Sequence, residues 1–340
     1  MIRTSIAAVL VLGSACAAQA DPLIFSSPDP TPLSAATSVY VTTGGGVIAQ
    51  QLPSFSAPYT SNGRTIFTSG GMTVTGAAGE LTIGTKIPGA IVGNNSRLEF
   101  SFGGFAGNTT VTGGQGVNSL TVIPSISGAT QGTCSSCDGT TILKVNHQEI
   151  GGALRLKSDV ALGPQWILTP SIGLVGSQSR TIYRSDTSFY YGSPGFAPPG
   201  FIDERLVSFR AGGEMGLSLT YQVTPVFSVN AGVAVSLLAL NTDLRGNDCM
   251  SFNQSSALPC SGVYFTSSVT GTNTRFANRD RFNLAGTYDA GWAKFSASGF
   301  ATWDSAVAGV TNPTAIGTPA VLAFQSKWGY GGAGTITVPF

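Results

Sequence analysis

A chain of 340 residues with 10% charged residues and a net charge of +1 carries no broad field that would draw nucleic acid or an anionic partner. Its 42% hydrophobic content and 45 glycines are spread along the sequence. Past the N-terminus no apolar run approaches the roughly 18 residues a spanning helix needs, so helical membrane proteins are excluded.

Residues 1–20 read as a signal peptide: Arg3 is the positive start, Ile6 to Gly13 the apolar core, and Ala18-Gln19-Ala20 the cleavage site before Asp21. Cys16 raises a lipoprotein alternative, but Gly13 stands where a branched apolar residue belongs. Residues 21–35, with Pro22, Pro28, Pro30 and Pro32, read as an extended periplasmic arm, and residues 36–340 as one domain.

The first strand is predicted over 37–50, weakened by Gly44-Gly45-Gly46. Residues 51–78 are turn-rich. Leu81, Ile83 and Ile87 then alternate with Thr82, Gly84 and Lys86, and Leu98, Phe100 and Phe102 with Arg97, Glu99 and Ser101. A loop is expected over 108–146. Ile150, Leu154, Leu156 and Val160 oppose Glu149, Arg155, Lys157 and Asp159, and after Gly163-Pro164 come Trp166, Leu168, Ile172 and Leu174. A second loop is expected over 185–203.

The clearest pattern follows. Val207, Phe209, Ala211, Gly213, Met215, Leu217, Leu219, Tyr221 and Val223 occupy every second position, with Arg210 and Glu214 between them. After Thr224-Pro225 the rhythm resumes at Phe227 and runs to Leu237. Only a strand has a period of two, and these are longer than the 5–6 residues usual in soluble proteins. A third loop holds Cys249 and Cys260. Phe282, Leu284 and Tyr288 follow, then Phe295, Ala297, Ala301 and Trp303, and finally Phe324, Trp328, Tyr330, Ile336, Val338 and Phe340.

Alternating short and long connections with oily alternate positions predict an all-β fold: a closed antiparallel up-and-down transmembrane β-barrel of about ten strands, with eight or twelve as alternatives. Twelve would require 65–75 and 109–123 to span. A Lys or Arg facing mid-bilayer lipid costs about 2–4 kcal/mol, and the charges of these strands fall on the other parity. The predicted lumen charges are Glu149, Arg155, Lys157, Asp159, Arg210, Glu214, Arg281, Lys294 and Lys327, joined by Glu80, Lys86, Arg97, Glu99, Asp289 and Asp304. So balanced a set suggests salt bridges across a narrow lumen. In an oxidising compartment Cys134, Cys137, Cys249 and Cys260 are expected to form local disulfides, Cys134–Cys137 and Cys249–Cys260, stapling loops.

Tyr330, Ile336, Val338 and Phe340 resemble the C-terminal insertion signal of bacterial outer-membrane β-barrel proteins, a terminal aromatic with apolar residues two and four before it. The resemblance implies the bacterial outer membrane, both termini periplasmic, with outer-membrane lipid, lipopolysaccharide and the barrel assembly machinery as partners. No enzyme is expected. His147 is the only histidine and reads as solvated surface, there is no nucleophile elbow, and no Asp-x-His of the kind found in omptin-like surface proteases occurs. No cofactor or metal constellation is visible. The expected function is a porin-like passive channel for small polar solutes with a narrow charged lumen. The alternative is a non-conducting structural or adhesive surface barrel acting through its loops.

Overall fold

A computed structural model describes residues 39–55, 59–61, 64–65, 69–87, 95–117, 120–122, 133–134, 137–191, 200–251, 263–311 and 321–340. The expected signal peptide and N-terminal arm lie outside these residues. Ten strands close the barrel: β1 (Val39–Leu52), β4 (Met72–Ile87), β5 (Asn95–Val117), β8 (Cys137–Ala161), β9 (Trp166–Tyr191), β10 (Gly200–Thr224), β11 (Phe227–Ser251), β12 (Val263–Asp289), β13 (Lys294–Thr311) and β14 (Val321–Pro339). Each pairs antiparallel with its neighbours, and β1 closes on β14 from Tyr40↔Pro339 to Gln50↔Gly329. Four short pieces, β2 (Tyr59–Ser61), β3 (Arg64–Thr65), β6 (Leu120–Val122) and β7 (Thr133–Cys134), form a separate small sheet.

The strand count of ten agrees with the alternation, and the two extra candidates do not span. Of the first, Thr65 lies on β3 and residues 72–75 open β4; of the second, residues 109–117 prolong β5. The predicted loops are shorter than expected for the same reason. Much of 108–146 and 185–203 is strand, paired from Asn108↔Asn146 to Val117↔Cys137 and from Gly200↔Thr187 to Asp203↔Arg184.

Strands β8, β10 and β11 each have 25 residues. At about 3.3 Å per residue and a tilt near 40°, such a strand climbs about 60 Å, against an apolar band about 25 Å tall. More than half of each such strand therefore stands beyond the hydrocarbon. The side chains record that boundary by exchanging faces. On β11, Val233, Val235 and Leu237 point outward and Ser228, Asn230 and Ser236 inward. Higher on the same strand Leu238, Leu240 and Leu244 point inward while Asn241 and Arg245 face out. β9 and β10 make the same exchange, with Ile172, Leu174, Met215 and Leu217 outside below, and Val175, Tyr183, Leu206 and Ile202 inside above. Below, the sheet is solvated by lipid. Above, it has the apolar interior and polar exterior of a soluble β-structure.

The upper interior is a continuous apolar core of Ile48, Leu52, Phe55, Met72, Val74, Phe105, Leu143, Val145, Tyr183, Ile202, Leu206, Leu244, Val307 and Val310, among others. Two irregularities build it. After β1, Pro53–Phe55 turns inward as a strap, held by Phe55 N–H donating to Ser69 Oγ at 2.8 Å and by Ser69 N–H donating to Phe55 O at 2.8 Å. β13 slips register between Asp304 and Val307, and its end, Ala306 to Val310, bends into the lumen. A Cβ on Gly309 would lie 2.5 Å from Pro53, so only glycine lets strap and strand meet there. Because β13 leaves the wall, its ladder with β12 stops at Arg279↔Asp304.

Asp280 takes the outward parity between Val235 and Trp303. It sits at the upper margin of the lipid belt, where the outer face of β12 changes from Leu284 and Phe282 to Asn278, Phe276 and Thr274.

Candidate functional site

The lower lumen is a stack of ion pairs that strand register sets in place. At the lower end β5 and β8 put Arg97 opposite Lys157 and Glu99 opposite Arg155. Like charges face each other in the first pair, and diagonal carboxylates relieve them. Arg97 Nη1 reaches Asp159 Oδ1 at 2.7 Å, Arg97 Nε reaches Glu99 Oε1 at 3.2 Å, and Lys157 Nζ lies 3.0 Å from Glu99 Oε2. The Tyr40 hydroxyl donates to Glu99, and Thr169 Oγ1 to Asp159. Lys294 meets Asp289 at 3.3 Å beside the turn after β12.

One layer up, Glu214 of β10 bridges two guanidinium groups, Arg155 Nε at 2.6 Å and Arg281 Nη2 at 2.5 Å, and accepts from Ser236 Oγ. All three side chains are nearly sealed from solvent. The layer above gathers five residues from four strands. Arg279 holds Asp304 with two bonds of 2.7 and 3.1 Å and reaches Glu149 at 3.1 Å, while Arg210 stands 3.5 Å from Glu149 and 3.7 Å from Asp304. His147 closes this layer, its Nδ1 2.8 Å from Thr181 Oγ1 and its ring tilted against Phe105. Next comes the apolar core.

Glu149, Arg155, Lys157, Asp159, Arg210, Glu214, Arg281 and Lys294 are thus buried within the barrel, and Lys327, in register with Asp304, shares the inward parity. Sequence reasoning missed Arg279, because its strand was taken to begin at Arg281. It also placed His147 on the solvated surface. The ring is buried instead, because the exchange of faces occurs at its level and brings inward-facing β8 side chains under the core. Tyr330 and Ile336 lie exposed on the outer face of β14 and Phe340 lies exposed just past its end, with Val338 beside them partly covered. Cys134, Cys137 and Cys249 lie on strands, but their side chains, and all of Cys260, fall outside the described residues, as do both expected disulfides.

A cavity of about 50 Å³ lies between Glu80, Glu99, Arg155, Lys157, Glu214 and Arg281. Into this layer face Arg155 Nη2, Arg281 Nε and Nη1, and Glu80 Oε2, none of which has a hydrogen-bond partner among the described residues. At 10–15 Å³ per water this volume takes roughly four waters. A second void of about 10 Å³, under Leu206 and Val307 beside His147, holds one water at most. No group of three or more His, Cys, Asp or Glu side chains fit to hold a metal occurs among the described residues.

No protein-family model and no curated protein matches the chain. Solved structures do. The outer membrane protease OmpT from Escherichia coli is 12% identical with a TM-score of 0.48, covering 92% of this chain and 99% of its own. The translocator domain of the autotransporter NalP from Neisseria meningitidis is 10% identical with a TM-score of 0.36, covering 99% and 98%. The toluene transporter TodX of P. putida is 9% identical with a TM-score of 0.25, covering 96% and 94%. The expectation that the chain is no enzyme is corrected here: a protease is among the barrels it matches, so this architecture does not exclude catalysis. At such identities the likeness concerns the fold and transfers no activity. By its closed, all-antiparallel ten-stranded wall, lipid-facing below and soluble above, the chain has the fold of the bacterial outer-membrane β-barrels.

Proposed function

We propose that this protein is a non-conducting barrel of the bacterial outer membrane, a rigid post that lifts its upper wall and loops well above the lipid. One observation carries the reading: the apolar core, from Phe55 and Tyr183 to Val307 and Val310, crosses the lumen above the ion pairs. Conduction needs a continuous polar path, and an ion forced through a dry apolar layer of this kind pays several kcal/mol in lost hydration. The cavity beneath holds a few waters and no solute the size of a sugar or amino acid. The exposed C-terminal aromatics fit recognition by the barrel assembly machinery, and the lower outer wall fits contact with outer-membrane lipid and lipopolysaccharide.

The porin-like passive channel requires the Pro53–Phe55 strap and the bent end of β13 to leave the lumen together. Planar-bilayer recording decides between the two. Purified barrel reconstituted at single-molecule density is expected to be silent from low to high salt, and steady unitary conductance overturns the proposal.

A further inference from the structure

We infer that the upper edge of β12 is a docking site for an extended segment of another protein at the cell surface, which adds to the wall as a further strand. From Thr270 to Asn278 this strand pairs with β11 on one side. On its other side, among the described residues, no ladder continues above Arg279↔Asp304, because β13 has turned into the lumen. Asn278 N–H is taken by Ser305 Oγ of β13 at 2.8 Å, but from Thr270 to Ala277 the backbone donors and acceptors on this side have no partner strand among the described residues, and proteins usually blunt such edges with lysine, proline, bulges or a covering loop. Residues 263–278 contain neither lysine nor proline, and the β12 ladder with β11 is unbroken from Thr270 to Asn278.

Beside the edge lies an apolar floor. Leu322 and Phe324 of β14 are partly buried against the core, Val321 is half exposed, and Leu322 lies next to Gly271. Phe276 stands 89% exposed on the outer face, above the lipid belt. Backbone bonds along an edge with apolar contacts for alternate side chains are what strand addition uses. Charge narrows the partner further: Arg275, stacked 4.2 Å over the Phe324 ring, is the one charged residue from 263 to 278. The incoming strand therefore carries, on the face turned to Leu322 and Phe324, apolar residues and a carboxylate opposite Arg275.

Geometry excludes a second copy. Two barrels in one membrane stand the same way up with strands tilted about 40°, so their β12 edges would cross at about 80° and could not form a ladder. This inference deepens the surface-post reading and rests on it only for the exposure of the upper wall. Conductance tests that reading, whereas amide exchange tests the edge, and each can fail alone.

The experiment is hydrogen–deuterium exchange on the full-length barrel in nanodiscs, with the synthetic peptide Val-Val-Glu-Thr-Val-Thr-Val-Thr as probe, its Glu on the same face as three of its valines, and its fully N-methylated form as control. Amides of 270–277 are expected to exchange faster than those of 279–289, and to slow at least tenfold with the peptide but not with the methylated form. Phe276→Lys is expected to remove the protection while the heat-modifiable gel shift of the folded barrel persists. If that variant does not fold, the methylated control decides alone. Amides protected without peptide, no slowing with it, or a sedimenting dimer lost in Phe276→Lys would each overturn the inference.

Discussion

Phe55 stacks on Tyr183 with ring centroids 5.4 Å apart and planes 14° from parallel, so the strap after β1 is fastened to the opposite wall of the barrel. Both side chains are buried completely, and the contact closes the lumen above the ion pairs. Removing a buried phenylalanine costs about 3–5 kcal/mol. Phe55→Ala is accordingly expected to destabilise the folded barrel by that amount, measured by urea unfolding in lipid vesicles. A loss below 1 kcal/mol would mean that the strap is not packed as described.

The charged layers respond differently to partial and complete replacement. Glu214 is the only carboxylate within bonding distance of both Arg155 and Arg281 among the described residues. Glu214→Gln leaves two buried guanidinium groups facing each other, and breaking such a triad from one side costs about 3–5 kcal/mol. Replacing all three with Met, Leu and Met removes the charges together and is expected to cost far less, or nothing. Unfolding midpoints of the two variants check this, and equal losses would argue against ion pairing in the lumen.

How much of this was legible in the sequence follows from which face each residue takes. The lower wall announces itself, because lipid outside and ion pairs inside force a strict alternation from Phe209 to Val223 and from Phe227 to Leu237. Above the belt the rule reverses, and Leu237-Leu238 marks the reversal on β11: the first faces lipid, the second the core. Read for oily outward positions alone, the stretch after Leu238 and the stretches 108–146 and 185–203 lose their pattern and resemble loops. The same reversal hid His147. Nothing local marks Pro53–Phe55 as a strap, since its partners Tyr183 and Gly309 lie far along the chain.

The polarity reversal can be tested at two outward positions. Leu284 faces mid-belt lipid, and Thr274 lies on the same outer face of β12 beyond it. Leu284→Arg is expected to cost about 2–4 kcal/mol in folding into vesicles, and Thr274→Arg close to none. Similar costs at the two sites would move the lipid boundary and with it the division between the two halves of the wall.

Strand spacing makes the last prediction, at two adjacent glycines on β10. A Cβ at Gly212 would lie 1.9 Å from Leu237 O and 3.0 Å from Leu238 Cα, both backbone atoms of the neighbouring strand, which cannot swing aside as a side chain can. At Gly213 the nearest atom to such a Cβ is Gly173 O at 4.0 Å, an ordinary contact. Gly212→Ala must therefore push β11 away from β10 at the layer of Glu214, and overpacking of this kind costs about 1–3 kcal/mol. Gly213→Ala points to the lipid side, adds an apolar methyl there, and is expected to be neutral or slightly stabilising. Heat-modifiable migration and urea midpoints of the matched pair give the answer, and a Gly212→Ala barrel as stable as the parent would show that the inward parity of β10 is misassigned.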